Sequence, residues 1–238
     1  MPRASATITS GALRTLLANR FPDAVLLPER TSAPLPTGFA PLDAILPNGG
    51  LPRGRLVVWQ RSGGGGGTTA VLRTAAAGIL ARGERVAWID GQRLLAADWR
   101  DGPLLVRPSS PELALRATEI LLRSGGFALV VLTGVDPDAT DMLRLSRMAH
   151  EGGGGFVAAT ARTLTASLRL SSRYLPTEYH FAKGPFGERA RIDTVAIAVE
   201  ARASGWKSSA TLRLPISSVD LRLALQPGLV DRRGGSWE

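Results

Sequence analysis

Leu56-Val57-Val58-Trp59, then Arg61-Ser62-Gly63-Gly64-Gly65-Gly66-Gly67-Thr68, then a helical pattern running on to Arg82, is the stretch on which the reading of this chain turns. The apolar residues before the glycines form a short strand. After them Val71, Leu72, Ala75 and Ile79 recur on one side of a helix that Gly83 stops. A strand, a glycine-rich turn and a helix in succession are the setting of a phosphate-binding loop. There, backbone N–H groups and a helix N-terminus hold the anion, a lysine reaches the outer phosphates and a Ser or Thr hydroxyl holds magnesium. Gly66 and Thr68 fit that pattern, and Thr69 follows. Gly67 stands where the lysine belongs, and Arg61 where the first glycine belongs. The first lysine of the chain is Lys183, so sliding the alignment by one residue does not restore the charge. Two readings remain open: the glycines make a sharp strand-to-helix turn and nothing more, or a nest of exposed N–H groups still attracts an anion.

Outward from this unit the alternation continues. Val86-Ala87-Trp88-Ile89 and Leu104-Leu105-Val106 read as strands, and Phe127 to Leu132 as a continuous apolar run suited to a central parallel strand covered on both faces. Ser110-Pro111-Glu112 opens a helix with a serine cap, a proline at the first helical position and an acid in the first turn. Leu113, Ala117, Ile120 and Leu121 are expected to form its buried stripe, and Gly125-Gly126 ends it. Ala139 to Glu151 is a further helix with Met142, Leu145 and Met148 on one face, and Phe156 to Ala159 a further strand. Beyond residue 160 the period becomes two, at Leu168 and Leu170, at Val195, Ile197 and Val199, and at Leu212, Leu214 and Ile216. The expected fold is therefore α/β, a mostly parallel central sheet flanked by helices with an antiparallel C-terminal extension.

Composition narrows the chemistry. The 238 residues include no cysteine, which excludes disulfides, thiolate catalysis and Cys-ligated zinc, and His150 and His180 are too few for a histidine metal site. No metal and no cofactor is expected, and no apolar run reaches the roughly 18 residues that span a bilayer. The formal net charge is +9, and apart from Lys183 and Lys207 every Lys/Arg cation is arginine. Guanidinium groups suit phosphates and carboxylates, so a polyanionic partner is one reading; a solvated basic surface, or merely the coding composition behind the chain, is the other.

Three regions are expected: residues 1–47, an N-terminal helix and a proline-rich linker; 48–225, the core domain; and 226–238, a flexible tail. In the first, Ser10 caps an amphipathic helix with Leu13, Leu16, Leu17 and Phe21 on one face. This segment shares its acid-free, Ser/Thr/Arg composition with transit peptides, but the helix is the preferred reading and the expected location is the cytoplasm.

Gly49-Gly50-Leu51-Pro52-Arg53-Gly54-Arg55-Leu56-Val57, the glycine turn and Thr68-Thr69 resemble the opening of the ATPase core of RecA recombinases. Leu35 to Asp43 resembles the segment before it, Trp88-Ile89-Asp90 the next strand, and Arg123-Ser124-Gly125 through Val130-Val131 the strand before the magnesium-site position. The similarity runs over roughly residues 12–216 and implies a RecA-like core. Carried over one at a time, the family's phosphate lysine falls on Gly67, its water-activating glutamate on Gln92 and its metal-site aspartate on Leu132. Phosphate charge stabilisation, water activation and the metal carboxylate are then all missing, which implies a degenerate nucleotide site at Arg61, Gly66, Gly67, Thr68, Thr69, Gln92 and Leu132, with no catalytic residue.

A short, degenerate RecA-like chain is similar to the ImuA family, accessory proteins of a damage-inducible mutagenesis cassette. That resemblance implies support of translesion synthesis beside an ImuB-like inactive Y-family polymerase and an error-prone replicative-type polymerase, with RecA and DNA as further partners. A slow DNA-stimulated ATPase or recombination mediator using Arg61, and a SulA-like cell-division inhibitor, are the alternatives. The candidate surface for DNA or an acidic partner is Arg162, Arg169, Arg173, Lys183, Arg189 and Arg191, whose bland reading is the solvated face of alternating strands. Tyr174, Tyr179 and Phe181 either stack on bases or pack in the core, and the N-terminal helix either binds a partner or a second copy, or packs on its own core.

Overall fold

The computed structural model describes residues 33–61, 66–93, 95, 102–162, 166–183, 185–186 and 189–215, with backbone only for 176–183, 189–193 and 215. Leu13, Leu16, Leu17 and Phe21, and the tail from 226, lie outside the described residues. The chain divides at Ser32/Ala33, and every described residue falls in the second unit.

The elements in chain order are α1 (Ala40–Ile45), β1 (Leu56–Gln60), α2 (Thr68–Leu80), β2 (Val86–Asp90), β3 (Leu104–Val106), α3 (Pro111–Arg123), β4 (Leu129–Thr133), α4 (Ala139–Gly152), β5 (Gly155–Thr160), β6 (Leu168–Lys183), β7 (Arg189–Ala203) and β8 (Trp206–Pro215). They build one 8-stranded sheet in the order β3-β2-β4-β5-β1-β6-β7-β8. Pairing is parallel from β3 to β6 and antiparallel from β6 through β8, so the fold is α/β with the expected antiparallel extension.

Alternation along the strands sorts the core into two clusters. On one face Val57, Trp59, Trp88 and Val131 meet α2 through Val71, Leu72, Ala76 and Ile79. The other face carries Val58, Ile89, Leu132 and Phe156 against Leu122 of α3 and Leu145 of α4. Ser110 caps α3 as expected, accepting from the Leu113 N–H, and Asp138 caps α4 by accepting from the Asp141 N–H. β1, with four buried residues in a row, lies between β5 and β6, which places the glycine turn at the C-terminal edge of the parallel strands.

Two expectations are corrected. In α3 the buried stripe is Ala114, Thr118 and Leu122, while Leu113 and Ile120 are 48% and 61% exposed. Both stripes carry helical spacing, and packing selects the smaller one; Thr118 enters it because its hydroxyl donates to the Ala114 carbonyl at 2.8 Å. The proline-rich stretch, expected to stand off as a linker, is from residue 33 packed on the core. Leu35 and Leu51 exchange backbone hydrogen bonds, Leu35, Leu42 and Leu46 are buried, and Thr37 donates both its N–H and its hydroxyl to Asp43 at the start of α1. The prolines keep this backbone extended, while the leucines between them supply the apolar contact. Leu42→Ala should therefore destabilise the protein by about 2–5 kcal/mol in urea unfolding, as a core site does. A change within about 0.5 kcal/mol, the range of a surface substitution, would return the segment to linker status.

Candidate functional site

The degenerate loop is held by β6. Ser172 lies in that strand, almost fully buried, and its hydroxyl accepts from the Trp59 indole N–H at 3.1 Å. The Thr68 hydroxyl lies 3.2 Å from the same Ser172 oxygen. Thr68 is the first residue of α2, so the hydroxyl that holds magnesium in the phosphate-loop pattern is here directed to a neighbouring strand. Gly66 is pressed against that strand too: a Cβ at this position would stand 2.1 Å from the Ser172 carbonyl oxygen. Only a residue without a side chain permits that approach.

Gly67 caps α2 in the left-handed region, with φ +74°. A Cβ there would meet Leu214 Cδ1 at 3.0 Å and Ile197 Cδ1 at 3.2 Å, so the lysine position faces apolar side chains of β7 and β8. Thr69 is exposed on α2. Ser62 and the first three glycines, residues 62–65, lie outside the described residues.

Arg61 follows β1 and is drawn to the loop after β4. Its guanidinium meets Asp136 at 3.3 Å, and its backbone N–H donates to the Thr160 carbonyl. Asp136 also accepts from the Thr160 hydroxyl at 2.7 Å and the Ala161 N–H at 2.9 Å. Burial works against the Asp136 charge, but the Thr160 hydroxyl, the Ala161 N–H and Arg61 outweigh it and hold the carboxyl below its ordinary value.

The remaining transferred positions end differently. Leu132 is fully buried in the α3/α4 cluster. Its neighbour Thr133 points to the α2 face, where its hydroxyl accepts from the Trp88 indole at 3.0 Å and donates to the Ile89 carbonyl. Gln92 is exposed in the turn after β2. Asp90, buried at the end of β2, accepts from the Leu95 N–H at 2.9 Å and so closes its own turn. Among the described residues no group of three His, Cys, Asp or Glu side chains converges to hold a metal ion, and no helix is long and apolar enough to cross a membrane.

The six basic positions are divided. Arg169 and Arg173 share the outward face of β6, and Arg162 lies on the loop after β5 with its N–H on the Thr160 hydroxyl. The side chains of Lys183, Arg189 and Arg191 lie outside the described residues, as do those of Tyr179 and Phe181; Tyr174 is partly buried against the α2-side core. Ser172, Asp136 and Thr160 were not singled out in the sequence. A serine within an alternating strand looks like any other, and only the pairing of β1 with β6 shows what it meets.

No protein-family model matches the chain. It is 31% identical over 151 residues to Protein RecA of Streptomyces coelicolor, covering 59% of this chain and 39% of that protein. Over 142 residues it is 32% identical to Protein RecA of Frankia casuarinae, at 57% and 40% coverage, and to that of Mycobacterium leprae, at 57% and 19%. The chain thus spans two fifths or less of the length of these relatives. Sequence similarity and sheet architecture agree on a RecA-like core.

Two outcomes follow from the site geometry. Ser172→Ala leaves a buried indole N–H without its acceptor and should cost about 1–3 kcal/mol in denaturant unfolding; Gly66→Ala, which sets a Cβ against backbone, should cost more. The charge on Asp136 is favoured by folding, so its contribution is present above the unfolded value near pH 4 and is lost as pH falls through the lower folded value. Asp136→Asn should therefore be less stable than wild type at neutral pH, with the two melting curves converging below about pH 4; a constant gap across that range would contradict the assignment.

Proposed function

We propose that this protein is a RecA-like adaptor that does not hydrolyse ATP and that serves a damage-inducible mutagenesis assembly in the cytoplasm, as the resemblance to the ImuA family implies. The similarity to RecA supports a role connected with DNA repair. The observation that carries the non-hydrolytic reading is Gly67: the position of the phosphate lysine is in the left-handed region and walled by Leu214 and Ile197. Its support comes from the surroundings. Thr68 is engaged by Ser172, Leu132 lies in an apolar cluster where a metal carboxylate is required, and the exposed Gln92 amide does not take up a proton from water at neutral pH. Arg61, the cation nearest the turn in sequence, is paired with Asp136. In this reading the partners are an ImuB-like inactive Y-family polymerase, an error-prone replicative-type polymerase, and RecA or DNA.

Titration of the purified chain with labelled ATP and magnesium, with and without single-stranded DNA, tests the first half. No saturation is expected below about 1 mM, a binding free energy of only about −4 kcal/mol. Micromolar binding with DNA-stimulated turnover would establish an ATPase instead. Gly67→Lys should not recover binding, and it should lose about 1–3 kcal/mol of stability from the left-handed backbone alone. Affinity isolation from DNA-damaged cells tests the second half: a polymerase-like partner is expected, and recovery of division proteins would replace the adaptor reading.

A further inference from the structure

Among the described residues, α3 and α4 cover only the parallel half of the sheet face opposite α2. The apolar cluster beneath those helices contains no residue of β6, β7 or β8. Over these three strands Leu168, Leu170 and Ser172, then Val195 and Ile197, then Leu212, are buried on the α2 side. Alternation therefore sets Arg169, Arg173, Arg202, Lys207 and Arg213 on the other side, and all five are exposed.

Register assembles them. Arg169 pairs with Arg202, and Arg202 with Lys207, a row of three cations on strands about 4.8 Å apart. Arg173 lies four residues further along β6, about 13 Å, and Arg213 stands opposite Ala196 on β8. Glu200 is the single acid at the outward positions among the described side chains, and it is occupied by Arg202 and by Lys207 at 2.9 Å. The side chains of Arg169, Arg173 and Arg213 make no ion pair or hydrogen bond among the described residues. Glu200 offsets part of the row, but Arg169 stands opposite Arg202 with no acid of its own among the described side chains, and like charges directly opposite one another destabilise a sheet, a repulsion that an anionic partner relieves.

We propose that the outer face of β6–β8 binds the phosphate backbone of a nucleic acid without reading its sequence. Guanidinium forks match phosphate oxygens. Between the cations stand Ser171, Ala198, Ser209 and Thr211; among the described side chains this patch offers bases nothing to stack on, so contact there is to the backbone. An acidic peptide docks through main-chain pairing at a sheet edge or through apolar anchors in a groove; β8 is such an edge, but the cations are spread across the faces of three strands rather than along it. The surface lies across the sheet from the glycine turn, so the inference does not rest on that turn being without ATP.

Anisotropy of labelled mixed-sequence oligonucleotides, single-stranded and duplex, against the full chain tests it, with labelled polyglutamate as the competing polyanion. The wild type should bind both oligonucleotides, with log affinity falling linearly in log salt. Arg169→Ala/Arg173→Ala/Arg213→Ala should weaken binding roughly tenfold or more at low salt, equally for every sequence, and reduce the duplex salt slope by about 0.9 for each phosphate no longer neutralised. Arg116→Ala/Arg123→Ala/Arg147→Ala, the same loss of charge on exposed positions of α3 and α4, should change affinity by no more than about twofold. Glu200→Gln, which releases Arg202 and Lys207, should tighten binding, and it serves if the triple variant fails to fold. Absence of wild-type binding, equal losses in the two triple variants, no gain from Glu200→Gln, or tighter binding of polyglutamate than of oligonucleotide would each overturn the proposal.

Discussion

Gly66 lets the strand-to-helix turn lie close against the Ser172 carbonyl of the sheet, and much of the site follows from that close approach. With that turn pressed onto β6, Thr68 opens α2 within reach of the Ser172 hydroxyl, and the same hydroxyl takes the Trp59 indole from inside the core. Trp59 is thereby fixed at the end of β1, beneath α2, in the cluster that also contains Trp88, Val71 and Leu72. A buried indole N–H without an acceptor is expensive, so the serine constrains the largest side chain of the central strand as well as the loop above it. The antiparallel extension completes the enclosure, since Ile197 and Leu214 stand against Gly67. β6–β8 are thus both an enlargement of the sheet and one wall of the position that a phosphate loop uses for its lysine.

Those features of the fold carried by local chemistry could be read from the sequence. Thr68 marks the start of α2, Ser110 acts as the cap of α3, and the apolar run ending at Leu132 is a central parallel strand. Where two local solutions compete, the sequence alone does not choose. α3 offers one stripe through Leu113 and Ile120 and another through Ala114, Thr118 and Leu122, and the closeness of the helix to β2 and β4 selects the smaller. The prolines around Leu35 likewise hid a segment that the core uses. At the candidate site the substituted positions Gly67, Gln92 and Leu132 were visible as residues, but their surroundings were not, because Ser172 lies more than a hundred residues from the atoms it bonds.

The basic residues make the same point about register. Along the chain Arg162, Arg169, Arg173, Lys183, Arg189 and Arg191 stand near one another. In the sheet, Arg162 belongs to the β5 loop with Thr160, whereas Arg169 faces Arg202 and through it Lys207. Alternation could say that each strand had an outward face; only pairing could say which outward residues meet.

Arginine excess by itself distinguishes nothing, since a compositional bias scatters cations everywhere. Their local company is more informative. Arg53 meets Glu84, Arg61 meets Asp136, and Arg144 and Arg147 meet acids on or beside their own helix. In these places a carboxylate stands within reach and the charge is absorbed into the fold. Across the described side chains of β6–β8 one carboxylate stands among five cations and pairs with two of them, and the sheet holds three of the five in a single cross-strand row. Random accumulation gives no reason for that row to persist against its own repulsion, whereas a surface that exchanges its counterions for a polyanion has one. The two faces of the extension are therefore separate in their physics: one is apolar and closes over the glycine turn, while the other, among the described side chains, leaves three of its five cations without a carboxylate. A loss of nucleotide chemistry on the first leaves the second intact.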